Sequence, residues 1–245
     1  MSYSKFFTLL LMILSMLFIM SCVKSPEMLD ADKIYEEAMS AMESKKYLQA
    51  GELWERLERE HPESDLMSIT RLNEAHVFYE MKEYEKAREA YQRFLKLHPL
   101  HKEAHTARYR IALCYFSEIT TSDRDQTATK QAQEEFQRYL QEYPKGALLD
   151  EVKQKLSLTR SRLAEHDLDI AHFYFKKKNY QAARNRLRKI MATYPNIPWI
   201  DKVLYLYFQT YYYEGMRDEA QYFSSLLQRK YPESIYIDEV NKIND

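Results

Sequence analysis

The feature that most constrains the fold is a spacing of twelve residues between an alanine and a proline, which the chain repeats five times. The pairs are Ala50 and Pro62, Ala87 and Pro99, Ala132 and Pro144, Ala183 and Pro195, and Ala220 and Pro232. A large apolar or aromatic residue follows four of the alanines by four residues and all five by seven residues, which places it on the alanine's face of a helix. Because a residue before proline is disfavoured in the helical conformation, each copy is expected to be one helix that stops before its proline.

A second helix is expected upstream of each copy, where small and aromatic residues recur one turn apart. In the second copy they are Ala75 and Phe78, twelve and nine residues before Ala87. The prolines recur at intervals of 37, 45, 51 and 37 residues, and the pattern resembles the tetratricopeptide repeat, whose unit has about 34 residues. The alternative is an ordinary helical bundle in which this spacing arises by chance. The sequence therefore predicts an all-α fold, a tetratricopeptide-repeat solenoid of five helical hairpins, three plus two joined by a long helix.

Composition argues against several classes of function. Only 3 of the 245 residues are glycine, so we expect few tight turns and no glycine-rich phosphate loop. The chain has no dinucleotide, nucleoside-triphosphate, serine-hydrolase or zinc-protease motif. Its formal charge of −1 provides no long-range attraction to nucleic acid. No nucleophile is paired with a base, and the chain is predicted not to be an enzyme.

Histidines are the candidates for a metal site. His101 and His105 are four residues apart, a spacing that can bind zinc on a helix, and His98 is close in sequence. However, Pro99 separates His98 from the other two, and no cysteine or acidic pair completes a recognised site. The sequence therefore predicts no metal, and no cofactor other than a covalent lipid.

The N-terminus has the features of an export signal. Phe6–Met20 is almost entirely apolar but shorter than the roughly 20 residues that a spanning helix needs. The stretch Ile19–Cys22 resembles a bacterial lipobox, in which the cysteine thiol receives a diacylglycerol and cleavage occurs before the cysteine. The alternative is an uncleaved anchor helix with an incidental cysteine. Cys22 is the predicted lipid-attachment site, and Cys114 is expected to be buried on a helix.

Four regions are predicted along the chain. They are a signal peptide at 1–21, a lipidated tether at 22–31, a front module of repeats one to three at 32–147, and a long helix with repeats four and five, the back module, at 148–245. The third repeat carries eight extra residues within Ser117–Thr129, interpreted as a loop, with the next helix starting at Asp125 or Thr127. Leu148–Lys178 contains no proline or glycine, which favours one long helix between the modules.

Several motifs resemble the BamD family of outer-membrane lipoproteins, which belongs to the β-barrel assembly machinery. They are Ser122–Asp125, Arg162–Phe175, Tyr180–Leu187 and Tyr194-Pro195. The resemblance covers nearly the whole chain after Cys22 and departs at Lys145-Gly146. It implies a protein on the periplasmic face of the outer membrane of a Gram-negative bacterium. It also implies partners: a POTRA domain of the barrel protein BamA on the back module, C-terminal signals of unfolded outer-membrane proteins on the front module, and other lipoproteins of the complex as further candidates.

The first helices of the first three repeats carry an apolar and aromatic row on the face that is concave in a tetratricopeptide solenoid. The predicted peptide-binding groove consists of Tyr35, Met39, Met42, Leu72, His76, Tyr79, Tyr109, Leu113 and Phe116. An extended apolar segment with an aromatic end would fit such a row, because methionines adapt to varied side chains. The alternative is that half of these residues pack against the next repeat.

A basic stripe on the second helix of repeat four is the second candidate surface. The guanidinium forks of Arg184, Arg186 and Arg188 suit carboxylates on a partner, and the family resemblance implies that this partner is BamA. By resemblance, Asn185-Arg186 matches the family's Asn-Arg pair at this contact, which makes Arg186 the leading candidate. The alternative is a solvated basic face.

A rival interpretation is a generic periplasmic tetratricopeptide lipoprotein adaptor in cell-envelope or cell-wall assembly. Such a protein would share the lipobox and the repeats. It would need neither the long helix between the modules nor the acidic-basic insertion in the third repeat. Co-purification with a POTRA-bearing barrel protein would distinguish the two.

Overall fold

A computed structural model describes residues 30–244 of the chain. The predicted signal peptide, Cys22 and nearly all of the predicted tether lie outside the described residues. The helices are α1 Ala31–Glu43, α2 Tyr47–Glu60, α3 Met67–Glu80, α4 Tyr84–Leu97, α5 Ala104–Ser117, α6 Thr127–Glu142, α7 Leu149–Lys176, α8 Tyr180–Thr193, α9 Ile200–Glu214, α10 Arg217–Lys230 and α11 Tyr236–Asn244. The predicted all-α fold is confirmed. No helix within residues 30–244 is both long and apolar enough to cross a membrane.

The predicted helix stops are confirmed at all five prolines. The helix before each proline ends two residues ahead of it. The intervening residue has left the helical region, with φ and ψ of −133° and 54° at His61 and −130° and 55° at Tyr194. Its N–H still donates to the carbonyl four residues back, at 2.9 Å from His61 to Leu57 and 2.8 Å from Tyr194 to Ile190. This hydrogen bond completes the last turn of the helix, and the following proline prevents the helix from continuing.

Four helix–helix turns use a residue in the left-handed conformation. These residues are Lys45, Lys82, Lys178 and Gly215, with φ of 57°, 62°, 57° and 85°. In each turn the left-handed N–H bonds to the carbonyl three residues back and the next N–H to the carbonyl five back, which is the Schellman motif. The expectation that three glycines allow few tight turns is therefore wrong, because lysine occupies the left-handed position in three of them.

Replacing a left-handed lysine by glycine is expected to stabilise the protein. Lys178→Gly should raise the free energy of unfolding by about 0.5–1 kcal/mol, because glycine removes a left-handed penalty of about 1–2 kcal/mol at some cost in chain entropy. The neighbouring Lys177, with φ of −82°, provides the matched control. Lys177→Gly should leave stability unchanged or lower it. Urea denaturation measures both, and a loss of stability in Lys178→Gly would contradict the expectation.

The described residues form two compact units, 30–70 and 71–244. In the first unit, Ile34, Leu57 and Met67 form a buried cluster. Trp54 is fully buried there, with the ring of Tyr35 edge-on at a centroid distance of 5.4 Å. The predicted division into a front and a back module after residue 147 stays a prediction.

In the second unit, the long helix α7 joins two hydrophobic clusters. Its 28 residues confirm the predicted helix to within two residues at each end. Val152 and Leu156 pack into a cluster with residues of α5 and α6. Further along, Ala164, Leu168 and Ala171 pack into another cluster with residues of α8 and α9. A single uninterrupted helix therefore fixes the hairpin before it to the hairpin after it.

The insertion in the third repeat is a structured loop that packs on α7. The side-chain amide of Gln126 donates to the carbonyl oxygens of Thr121 at 3.0 Å and Arg124 at 2.9 Å. Ser122 Oγ donates to Asp169 Oδ2 of α7 at 2.6 Å. Helix α6 begins at Thr127, one of the two predicted starts.

Candidate functional site

The part of the predicted groove in unit 30–70 is a half-buried row on α1. Tyr35, Met39 and Met42 are spaced by four and three residues, so they share one face of the helix. Each has intermediate exposure. The edge of Tyr35 that meets Trp54 is used for packing, and the rest of the row presents aromatic and thioether surface.

Three other predicted groove residues belong to the core of unit 71–244. Leu72, Tyr109 and Leu113 are only 8%, 4% and 9% exposed. Tyr109 donates its hydroxyl hydrogen bond to Glu151 in the first turn of α7, and burial raises the pKa of that hydroxyl. Its ring also packs against Phe136 at 6.1 Å. The structure thus corrects the groove: these three residues do not line an exposed surface. Helix α7 covers the face of α5 that carries Tyr109 and Leu113, and Leu72 is buried on α3.

Two further residues of the predicted row, His76 and Tyr79, lie beside Arg110 and Ser117, and we call these four residues the Tyr79 surface. Tyr79 Oη lies 3.4 Å from Ser117 Oγ, and the Arg110 guanidinium carbon lies 5.2 Å from the Tyr79 ring centroid. The His76 ring is parallel to that of Tyr79 at 6.5 Å. Sequence analysis missed Arg110, although its position next to Tyr109 placed it beside the predicted row.

The charge of the Tyr79 surface comes from Arg110. Burial, with a further contribution from the Arg110 charge, lowers the pKa of His76, and Glu80 opposes this with its carboxylate 3.6 Å from His76 Nε2. His76 is therefore neutral at pH 7. Arg110 has no carboxylate within ion-pair distance in the described part of the chain. An aromatic ring under an unpaired guanidinium can bind an apolar segment that carries a negative charge.

Phe116, the last residue of the predicted row, is half-buried at the edge of the α5–α6–α7 cluster. Its ring meets Phe136 edge-on at 6.0 Å, and Lys155 Nζ of α7 lies 4.7 Å from its centroid. It lines a small cleft of about 380 Å³ on this side of α7. Part of the Phe116 ring is therefore accessible, while the rest of it already contacts side chains of α6 and α7.

Arg184 is buried, contrary to the expected exposed stripe. It is 4% exposed, and its Nη1 pairs with Glu214 Oε2 at 2.5 Å. Its Nη2 donates to Gln181 Oε1 at 2.9 Å, and its guanidinium stacks 4.4 Å from the Tyr211 ring centroid. The side chain thus lies against α9, and the structure removes Arg184 from the set of residues available to a partner.

The exposed basic stripe consists of Arg186, Arg188 and Lys189 and is organised around a buried acid. Asp167 of α7 has a side chain only 3% exposed. Its carboxylate accepts from Lys189 Nζ at 2.8 Å and lies 3.5 Å from Arg186 Nη1, which leaves the Arg186 side chain 39% exposed. Arg188 is exposed and donates to Asn185 Oδ1 at 3.1 Å. The sequence analysis did not identify Asp167. Its position between the core residues Ala164 and Leu168 could have indicated a buried acid that pairs with a basic residue.

The histidines considered for metal serve the packing of α4 and the start of α5. The rings of His98 and His101 lie 5.4 and 5.3 Å from that of Phe94. His101 Nδ1 accepts a hydrogen bond from the N–H of Glu103 at 3.1 Å. No group of three or more potential metal ligands comes together within residues 30–244.

Comparison with known proteins gives a consistent group of relatives. The family model YfiO, described as an outer membrane lipoprotein, matches residues 27–226. A protein of Rickettsia prowazekii is 28% identical over 82% of this chain and 80% of its own length. A protein of Vibrio cholerae is 27% identical over 89% of this chain and 95% of its own length. A protein of Neisseria gonorrhoeae is 30% identical over 71% of this chain and 68% of its own length. Each of the three is named outer membrane protein assembly factor BamD.

Proposed function

Because the chain belongs to the YfiO family of outer membrane lipoproteins, we propose that it is an outer membrane protein assembly factor. It acts as a scaffold on the periplasmic face of the outer membrane, anchored by lipid on Cys22 and without catalytic activity. It binds the POTRA region of BamA and the C-terminal signals of unfolded outer-membrane proteins, and so promotes their insertion. The observation that carries this proposal is the family match, which extends over nearly all of the helical hairpins.

The exposed basic stripe supports a contact with BamA. Arg186 is held by its neighbour Asp167 at one nitrogen while a large part of its side chain is open to solvent. A guanidinium fixed in this way loses less conformational entropy when it binds a partner's carboxylate. Arg186 therefore offers a preorganised docking point, and Arg188 adds an exposed cation two residues further along α8.

The Tyr79 surface supports capture of a peptide signal. A C-terminal segment with an aromatic end carries both an apolar side chain and a terminal carboxylate. The ring of Tyr79 provides apolar contact, and Arg110 provides a cation without a carboxylate partner. This pairing of groups matches the two features of such a segment.

Co-purification tests the proposed function against a generic cell-envelope adaptor. The full-length chain, tagged at its C-terminus, is extracted with mild detergent, and its partners are identified by mass spectrometry. The assembly function predicts recovery of a barrel protein with POTRA domains. Recovery of cell-wall enzymes without any barrel protein would instead favour the adaptor. An untagged strain provides the background.

Removing the proposed lipid site is expected to abolish lipid labelling. Cys22→Ala should accumulate as an unprocessed precursor that no longer incorporates a fatty-acid probe, because the modification requires the thiol. Cys114→Ala is the matched control, since Cys114 is fully buried on α5 and inaccessible to an acyl donor. The control should be labelled like the wild type. Equal labelling of the two variants would remove Cys22 as the lipid site.

A further inference from the structure

A cleft in unit 71–244 is used by neither surface of the proposed function. It has a volume of about 780 Å³ and lies between α6, α7 and the segment 192–197, which contains the end of α8 and the turn after it. This volume is within the range of roughly 300–1,000 Å³ that is typical of ligand sites. The cleft shares no residue with the Tyr79 surface or the exposed basic stripe.

The charges around this cleft have one sign. Lys153 and Arg160 of α7 line it, and no aspartate or glutamate does, although the chain has 37 acidic and 36 basic residues. The ion pair of Lys153 is a distant one, with Asp150 Oδ1 3.9 Å away. Arg160 is exposed and has no carboxylate within ion-pair distance in residues 30–244. The cleft therefore presents two cations that a ligand can neutralise.

The other walls of the cleft suit a peptide backbone. Gln137 and Gln141 are one turn apart on α6, and Asn196 lines the cleft from the turn after α8. Each side-chain amide can donate to a backbone carbonyl and accept from a backbone N–H. Leu140 and Leu156 add apolar surface beneath them. Amides, apolar side chains and cations together match an extended acidic segment better than a compact anion.

The distance between the two cations of the cleft determines how far apart two carboxylates of a ligand should be. Lys153 and Arg160 are seven residues apart on one helix face, which is about 10 Å along the axis. In an extended chain, side chains two residues apart point to the same face and lie about 7 Å apart, which long cationic side chains at this spacing can span. We propose that this cleft binds an extended segment of a partner protein in which two carboxylates are two residues apart on one face, one on Lys153 and one on Arg160.

The test measures binding of a short fluorescent peptide to the full-length protein in detergent. The probe carries an aspartate and a glutamate two residues apart in a neutral, extended sequence, and its analogue has asparagine and glutamine instead. The acidic probe should bind at least about tenfold more tightly than the analogue, and the difference should shrink between about 50 and 300 mM salt. Lys153→Ala with Arg160→Ala should weaken the acidic probe by about tenfold or more.

Two control variants make the result decisive. Lys96→Ala with Lys230→Ala removes two exposed cations outside the cleft and should change affinity by less than about twofold. Tyr79→Ala should leave binding of the acidic probe unchanged. Equal binding of the two peptides, no binding of the acidic probe, or equal weakening by both lysine-containing double variants would overturn the proposal. A loss with Tyr79→Ala alone would also overturn it, because the peptide would then occupy the Tyr79 surface.

Discussion

Arg184→Ala is expected to lower the free energy of unfolding by about 2–3 kcal/mol, the largest loss among the arginines of α8. The substitution removes a buried side chain that fills space against Tyr211 and forms an ion pair with the carboxylate of Glu214. Glu214 is 36% exposed, so water can solvate the carboxylate that is left behind. For that reason the loss should fall below the roughly 3–5 kcal/mol seen when a fully buried pair is broken.

Two further variants separate packing from charge. Arg188→Ala, on the exposed side of the same helix, should change the free energy of unfolding by less than about 0.5 kcal/mol. Arg184→Met keeps most of the buried volume and should recover part of the loss. Urea denaturation followed by circular dichroism measures all three variants. If Arg184→Ala and Arg188→Ala were equally stable, the burial of Arg184 would be contradicted.

The helices and their stops were predictable because their determinants are local. The fixed interval from Ala183 to Pro195 defines a packing face and a stop within one helix, and α8 follows it closely. The long helix was predictable for the same reason, since nothing in Leu148–Lys178 interrupts it. Local patterns of this kind determine helix bounds without any knowledge of the tertiary neighbours.

Which residues remain exposed was less predictable, because tertiary contacts decide it. Tyr109 lies on the predicted groove face of α5, but Glu151 of α7, 42 residues later, covers it. Arg184 and Arg188 are four residues apart and share one face of α8, yet α9 buries only Arg184. No pattern within α5 or α8 carries information on where a later helix packs.

The glycine at position 146 also has a structural cause. A Cβ atom on Gly146 would lie 2.6 Å from the hydroxyl oxygen of Tyr139 and 3.2 Å from Tyr143 Cβ. Tyr139 is fully buried, so its hydroxyl has little room to move away. The glycine is therefore explained by the bulk of Tyr139, a relation that sequence spacing alone did not indicate.

Arg186→Ala is expected to weaken the proposed complex with the BamA POTRA region by at least about 30-fold, which corresponds to a loss of about 2 kcal/mol or more. Its effect on folding should be small, because Lys189 continues to pair with Asp167 at 2.8 Å. The variant should thus lose affinity while its free energy of unfolding changes by less than about 1 kcal/mol. Arg186→Glu should bind still more weakly, since it adds repulsion to a partner carboxylate and to Asp167.

Titration of the purified POTRA region against the full-length chain measures these affinities. Arg184→Met is the informative control, because it removes a cation of the same helix that the structure buries and should leave affinity within about twofold. An acid-to-base change on the POTRA surface should recover part of the affinity of Arg186→Glu. Indistinguishable dissociation constants for the wild type and Arg186→Ala would mean that the stripe is a solvated face. A loss confined to Arg188→Ala would move the contact two residues along α8, onto the arginine that no buried acid holds.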